Sequence, residues 1–204
     1  MKNKIQTSER FSIFPRGWWD EKDQKAKPQQ RQQQTQTVEW VYEYITSTRA
    51  QRATEELRRM EAAGASDEQL RDYKLLNFEY ATFSGVFRYR RAAFIVSRTP
   101  FLTIDIDDLS SYDEARRLQQ QLVGDPELQT VLCFVSPKGR GVKWVVRLPR
   151  WTDGLVFRRQ FDMVRSYVGF TYGVDADKSG SDICRACFLP WDPECYIGKP
   201  LKQK

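Results

Sequence analysis

The run Thr103-Ile104-Asp105-Ile106-Asp107-Asp108 sets two carboxylates two residues apart in an otherwise apolar stretch. On a strand the side chains alternate, so Asp105 and Asp107 share one face while Ile104 and Ile106 take the other. Aspartate disfavours strands, and two adjacent carboxylates repel. A cation between them removes that cost, and oxygen-only ligands suit Mg²⁺ or Mn²⁺. The same residues also suit the polar end of a strand entering a helix, with Asp108 or Ser110 as its N-cap.

Two later segments extend the chemistry. Ser136-Pro137-Lys138-Gly139-Arg140-Gly141-Val142-Lys143 joins two apolar runs with two glycines and three cations. Glycines permit close backbone approach, turn N–H groups can cradle phosphate oxygens, and Arg140 offers a bidentate fork. Such a turn is also common with no ligand at all. Gly173-Val174-Asp175-Ala176-Asp177 supplies a third carboxylate. Asp175 can complete a metal site, with Asp177 and Asp182 as competitors. Between Ser136 and Arg165 there are eight Lys/Arg and two Asp, against seven acids and two bases from Thr99 to Ser136. An acidic centre framed by a basic segment suits a metal-bound polyanion. Several of those arginines also fit the outer face of a helix.

The chain of 204 residues has 33 Lys+Arg, 27 Asp+Glu and no histidine. The missing imidazole excludes Ser-His-Asp and Cys-His hydrolases and His-ligated metal sites. A formal net charge of +6 fits nucleic acid or phosphorylated partners. No apolar run approaches the roughly 18 residues of a membrane span. Four cysteines in a chain this long are not a disulfide framework, and a cytoplasmic, reducing setting is expected. Cys184, Cys187 and Cys195 suit buried thiols better than zinc. Trp18-Trp19 suits packing onto the core better than partner docking.

The elements that must position these groups follow from periodicity. Phe11–Phe14 reads as a strand, and the Gln-rich stretch from residue 20 to 37 as a flexible loop, having almost nothing to bury. Val38, Val41, Tyr42 and Ile45 mark a helix. A second helix runs from about Arg49 to Ala63, with Glu55 and Arg59 at pairing distance along it. Ser66 caps a third. Strands are expected at 81–88, 92–97, 101–107, 130–136, 141–148 and 183–189, and helices at 111–123 and around Phe157–Val168. The order strand, helix, strand, strand, helix, strand is a split βαβ, ferredoxin-like arrangement. The fold class is α+β in a single domain: an accessory αβ layer over 1–98, and a core over 99–204 carrying the motifs.

The order of the motifs resembles the archaeo-eukaryotic primase superfamily. Asp105 and Asp107 match its hhhDhD strand, Ser136 with GRGVK its second motif, and Asp175 its third acid; Arg185 resembles the arginine that precedes its Pro-Phe pair. Lys143 stands where that family has a histidine. The closer resemblance is to the VirE N-terminal family of Bacteroidetes mobile-element and phage proteins, which often precedes a helicase. It is carried by FSIF, TFSGVFRYRR (82–91), FLTIDIDDL (101–109), FVSPKGRGVKWVVR (134–147) and YGVDADKSGSDICRACFLPWDPECY (172–196). The resemblance implies an RRM-like primase core performing template-dependent nucleotidyl transfer. Asp105, Asp107 and Asp175 would hold Mg²⁺ or Mn²⁺. Ser136, Lys138, Arg140, Lys143 and Arg185 would grip the triphosphate. A single-stranded DNA or RNA template would stack on exposed aromatics such as Trp144 or Trp151, with a helicase acting in trans; strand alternation, which sets Trp144 opposite Lys143, suits that residue equally to the core. The lysine leaves open a catalytically inactive nucleic-acid-binding module.

Overall fold

The computed structural model describes residues 6–7, 9–148 and 154–199. In chain order the elements are β1 (Gln6–Thr7), β2 (Phe11–Phe14), β3 (Trp18–Asp20), β4 (Lys25–Lys27), β5 (Gln34–Gln36), α1 (Val38–Thr46), α2 (Gln51–Ala62), α3 (Asp67–Asn77), β6 (Tyr80–Thr82), β7 (Gly85–Phe87) and β8 (Ile95–Arg98). There follow β9 (Phe101–Ile106), α4 (Tyr112–Val123), β10 (Gln129–Val135), β11 (Val142–Arg147), α5 (Gly154–Tyr172), β12 (Cys187–Phe188) and β13 (Tyr196–Ile197). The fold is mixed α+β, its strands paired mostly antiparallel. Among the described residues no helix is long and apolar enough to cross a membrane.

The central sheet has the order β13-β10-β11-β9 and is covered on both faces. On one face, Ile104, Ile106 and Trp144 pack with Leu118 and Leu122 of α4 and Phe157, Phe161 and Val168 of α5. On the other, Phe101, Leu132, Phe134 and Val145 meet Phe11 and Ile13 of β2, with Val41, Ile45 and Leu57 from α1 and α2. A sheet buried on both sides needs apolar residues at nearly every position. TVLCFV and VKWVV follow that rule except at Lys143. The helices begin as their caps dictate: Ser66 and Gln69 close a reciprocal capping box on α3, and Ser111 accepts from the Glu114 N–H at the start of α4.

Several expectations are corrected. The stretch from 20 to 37 is not a structureless loop: β3 and β4 form a hairpin and β5 pairs with β2. The hairpin closes because the Asp20 carboxylate accepts from the Lys22 and Asp23 N–H groups at 3.0 Å, and Lys27 pairs with Asp20 and Asp23. In α2 the ion pair is Arg59 with Glu56, not Glu55. Trp18 and Trp19 are 47% and 40% exposed, not core. Trp144 is fully buried and donates its indole N–H to Thr130 Oγ1 at 2.8 Å, so it stacks no base. Trp151 lies outside the described residues.

The strand expected at 183–189 shrinks to β12, which pairs with β6 in a second sheet of order β12-β6-β2-β5. A fourth strand therefore does not close the central sheet beside β9. The two-residue β13 pairs instead with β10 at the far edge. The segment assigned to the accessory layer and the segment assigned to the core share this second sheet. The four cysteines are free and buried.

A buried ion pair clips the C-terminal segment to the sheet. Asp192 is fully buried; it accepts from Arg116 Nη1 at 3.1 Å, from Arg116 Nη2, and from the Val135 N–H at 2.8 Å. Gln119 adds a bond from its amide to the Cys133 carbonyl at 2.8 Å. Removing one partner strands the other charge without water. Asp192→Ala should therefore lower the unfolding free energy by about 3–5 kcal/mol in urea titration. A loss below about 1 kcal/mol, the range of an exposed pair, would show that the clip is not structural.

Candidate functional site

Antiparallel register places Lys143 of β11 directly across from Asp105 of β9. Both side chains are buried, and the Lys143 ammonium contacts Asp105 Oδ1 and lies 3.4 Å from Asp107 Oδ1. Alternation along the strand delivers Asp107 to the same face, as the sequence predicts. Asp108 then turns the chain in the left-handed region (φ 58), which aspartate tolerates better than most residues.

The third carboxylate is Asp177, not Asp175. The Asp177 N–H donates to the Asp105 carbonyl at 2.8 Å, fixing this segment along the open edge of β9. One carboxylate oxygen from each of Asp105, Asp107 and Asp177 lies within 4.8 Å of the others. Asp175, two residues earlier, faces solvent at 95% side-chain exposure and pairs with Arg165 at 3.2 Å. Asp182 caps its own turn, accepting from the Cys184 N–H at 3.0 Å. The sequence offered three acids in eight residues; the backbone bond to β9 selects among them, and no local pattern reveals that bond.

Cations ring the carboxylates. Arg185 Nη2 is 2.8 Å from Asp177 Oδ2 and 4.0 Å from Asp105 Oδ2. Lys138 and the buried Ser136 line the same hollow of about 480 Å³, together with Lys74, Arg71 and Arg90. Those last three come from α3 and the loop after β7, and sequence reasoning missed them. Lys74 carries no motif; it enters only because α3 packs across the end of the sheet. Arg140 is not brought to the hollow. Its Nε donates to the Leu109 carbonyl at 2.8 Å, and its Nη1 lies 3.4 Å from Glu61. The basic segment contributes less than expected, because Arg158 and Arg159 lie on the exposed face of α5.

The electrostatics reflect crowding of unlike charges away from water. Burial pushes the Lys143 ammonium down to about 7, helped by Arg185 and Lys74, while nearby acids oppose it. Burial likewise pushes Lys74 down, with Lys138 adding like charge. Desolvation pushes Asp107 up, and Asp108 and Asp177 add to the rise. Desolvation also works on Asp177, but the Ser179 hydroxyl and N–H, then Arg185, hold it below its ordinary value. The Cys187 thiol near Lys143 is pushed up to about 11 by burial, which leaves it neutral. The arrangement can hold a cation among three carboxylates and a polyanion against the surrounding Lys and Arg.

Gly141 sets the turn against the strand. A Cβ there would stand 2.5 Å from the Ile106 carbonyl and 3.1 Å from both Asp107 Oδ1 and Ser136 Oγ. Gly139 holds φ at +84°, which completes the reversal between β10 and β11.

Comparison with protein-family models matches residues 75–197 to the family described as BT4734-like, N-terminal domain. That stretch contains Asp105, Asp107, Asp177, Lys138, Lys143 and Arg185. No curated protein and no solved structure matches the chain. The match overturns the expected assignment to the VirE N-terminal and primase families. That assignment rested on the order of the motifs and on the short stretches that carry them; the family match alone replaces it.

Gly141→Ala should cost about 1–3 kcal/mol of stability, the range for overpacking, measured by denaturant unfolding. Gly124→Ala is the control, since a methyl there meets nothing nearer than 3.6 Å. Equal stability of the two variants would contradict the close approach.

Proposed function

The chain belongs to the family described as BT4734-like, N-terminal domain, and from its geometry we propose a pocket for divalent-metal-dependent nucleotidyl transfer on single-stranded nucleic acid. The observation that carries this reading is the convergence of Asp105, Asp107 and Asp177 beneath a rim of Lys and Arg. The donor set is all carboxylate oxygen, which fits Mg²⁺ or Mn²⁺. The placing of the Lys143 ammonium on two of those carboxylates supports the fit, since the site is already built around positive charge.

A divalent ion held by Asp105, Asp107 and Asp177 would neutralise phosphate charge and favour ionisation of an attacking hydroxyl. The chain's own residues do the rest. Lys138, Lys74 and Arg185 draw the phosphates of a nucleotide into the hollow and fix their orientation. Arg185 also orients Asp177, and Ser179 holds that carboxylate ionised. Lys143, once released from Asp105, becomes a further phosphate contact. The run β9-α4-β10-β11 supports a ferredoxin-like, RRM-type reading of the core, with its fourth strand displaced.

One observation favours a second reading. Lys143 already pairs with Asp105 and Asp107. If it is never released, the pocket is an inactive nucleic-acid-binding module.

Primer synthesis and extension on single-stranded DNA, with dNTPs or NTPs and Mg²⁺ or Mn²⁺, tests the first reading. The double variant Asp105→Ala/Asp107→Ala should abolish product. Asp177→Ala should lower the rate by more than about 100-fold, a metal ligand mattering more than its supporting shell. Asp175→Ala should stay within about twofold, as expected of an exposed residue off the site. Nucleic-acid binding with no product from any protein supports the second reading. Activity that depends on Asp175 and not on Asp177 contradicts the assignment.

A further inference from the structure

Beside the carboxylate pocket runs a second groove, of about 430 Å³, that the chemistry above does not use. Its floor and walls carry three aromatic rings, Trp18, Tyr89 and Phe94, at 47%, 43% and 42% exposure. Rings this open are normally turned inward, and several in one hollow mark a binding surface. Tyr89 and Phe94 brace each other edge to face, with centroids 5.2 Å apart. Lys27, Arg31 and Arg91 also line the groove, and among the described residues no carboxylate does. Arg31 and Arg91 are exposed.

The groove is rigid where it needs to be. Its 28–32 edge is zipped to the chain after β7: the Arg90 N–H donates to the Gln30 carbonyl at 2.9 Å and the Gln32 N–H to the Arg88 carbonyl at 3.1 Å. The Tyr80 hydroxyl donates to the Gln29 carbonyl from below. Pro28 lines both this groove and the carboxylate hollow, and Arg90, between Tyr89 and Arg91, lines the hollow. The two sites therefore adjoin at Pro28.

We propose that this groove is the track for single-stranded nucleic acid leading into the pocket, with bases stacked on Trp18, Tyr89 and Phe94 and phosphates held by Arg31 and Arg91. Flat rings accept any base through its π-face, and guanidinium groups follow the backbone. A duplex keeps its bases stacked on each other and cannot use the rings. The absence of acids from the lining complements a polyanion and disfavours an acidic-residue-seeking protein partner. This placement rests on the reading of the pocket as acting on a nucleic-acid strand, but the binding itself requires no metal.

Fluorescence anisotropy with a labelled oligothymidylate of roughly 12 nucleotides, in EDTA, tests it on the full chain. Wild type should bind the single strand more tightly than a duplex of equal length. Trp18→Ala and Tyr89→Ala should each weaken binding by about tenfold or more, while Trp18→Phe keeps a ring and most of the affinity. Arg31→Glu/Arg91→Glu should weaken binding and flatten its salt dependence by about one unit or more of log–log slope. Circular dichroism confirms that the variants are folded. Wild-type affinity in the folded aromatic variants, equal preference for duplex, or no oligonucleotide binding overturns the proposal; the last leaves a protein ligand as the occupant. Loss of metal-dependent transfer with this binding intact counts against the pocket alone. Intact transfer with no binding at these rings counts against the groove alone.

Discussion

Lys143 lies directly opposite Asp105 in a sheet covered on both faces, and two charges shut away from water there must satisfy each other. The register of β9 against β11 sets the two residues side by side, and the layers packed over the sheet keep them from water. A lone buried ammonium or carboxylate costs several kcal/mol. The pair settles that cost at one point, at the end of the sheet where Asp107 and Asp177 also arrive. The interior there is polar where the carboxylates of Asp105, Asp107 and Asp177 converge. Its surroundings confirm the division: one strand position away, Ile104 and Trp144 are fully buried on the opposite face.

The pocket is made by both halves of the chain. β9, β11 and the segment after α5 bring the carboxylates. α3 and the loop after β7 bring Lys74, Arg71 and Arg90 over them. The second sheet, in which β12 joins strands from the N-terminal half, locks these parts together. That interleaving gives the aromatic groove its position, since the hairpin of β3 and β4 and the 88–94 loop meet beside the same hollow. A polyanion entering along the groove would encounter rings and guanidinium groups first and the carboxylates last.

Much of this was legible in the sequence, and for identifiable reasons. Strand alternation placed Asp105 and Asp107 on one face, and caps such as Ser66 and Ser111 marked helix starts. The choice of Asp177 over Asp175 was not legible, because it is made by a backbone hydrogen bond to Asp105, 72 residues earlier. The hairpin over 18–27 was hidden because its stability comes from Asp20 binding backbone N–H groups, not from apolar periodicity. Trp18 and Trp19 looked like core residues because large aromatics usually are; exposure is a property of the assembled fold. Motif spacing also suggested a family that the comparison replaced with another. Short acidic and glycine-rich motifs recur wherever phosphate chemistry is possible.

On the proposed reading, Asp105, Asp107 and Asp177 form one cation site, and the Lys143 ammonium rests on two of its carboxylates. Crystals soaked in Mn²⁺ and measured for anomalous scattering test it directly. A peak should stand within coordination distance of all three carboxylates, roughly 2.0–2.3 Å, with the Lys143 ammonium moved off Asp105. Crystals in which the ammonium stays in place and no peak forms between the carboxylates, at saturating Mn²⁺, would contradict it.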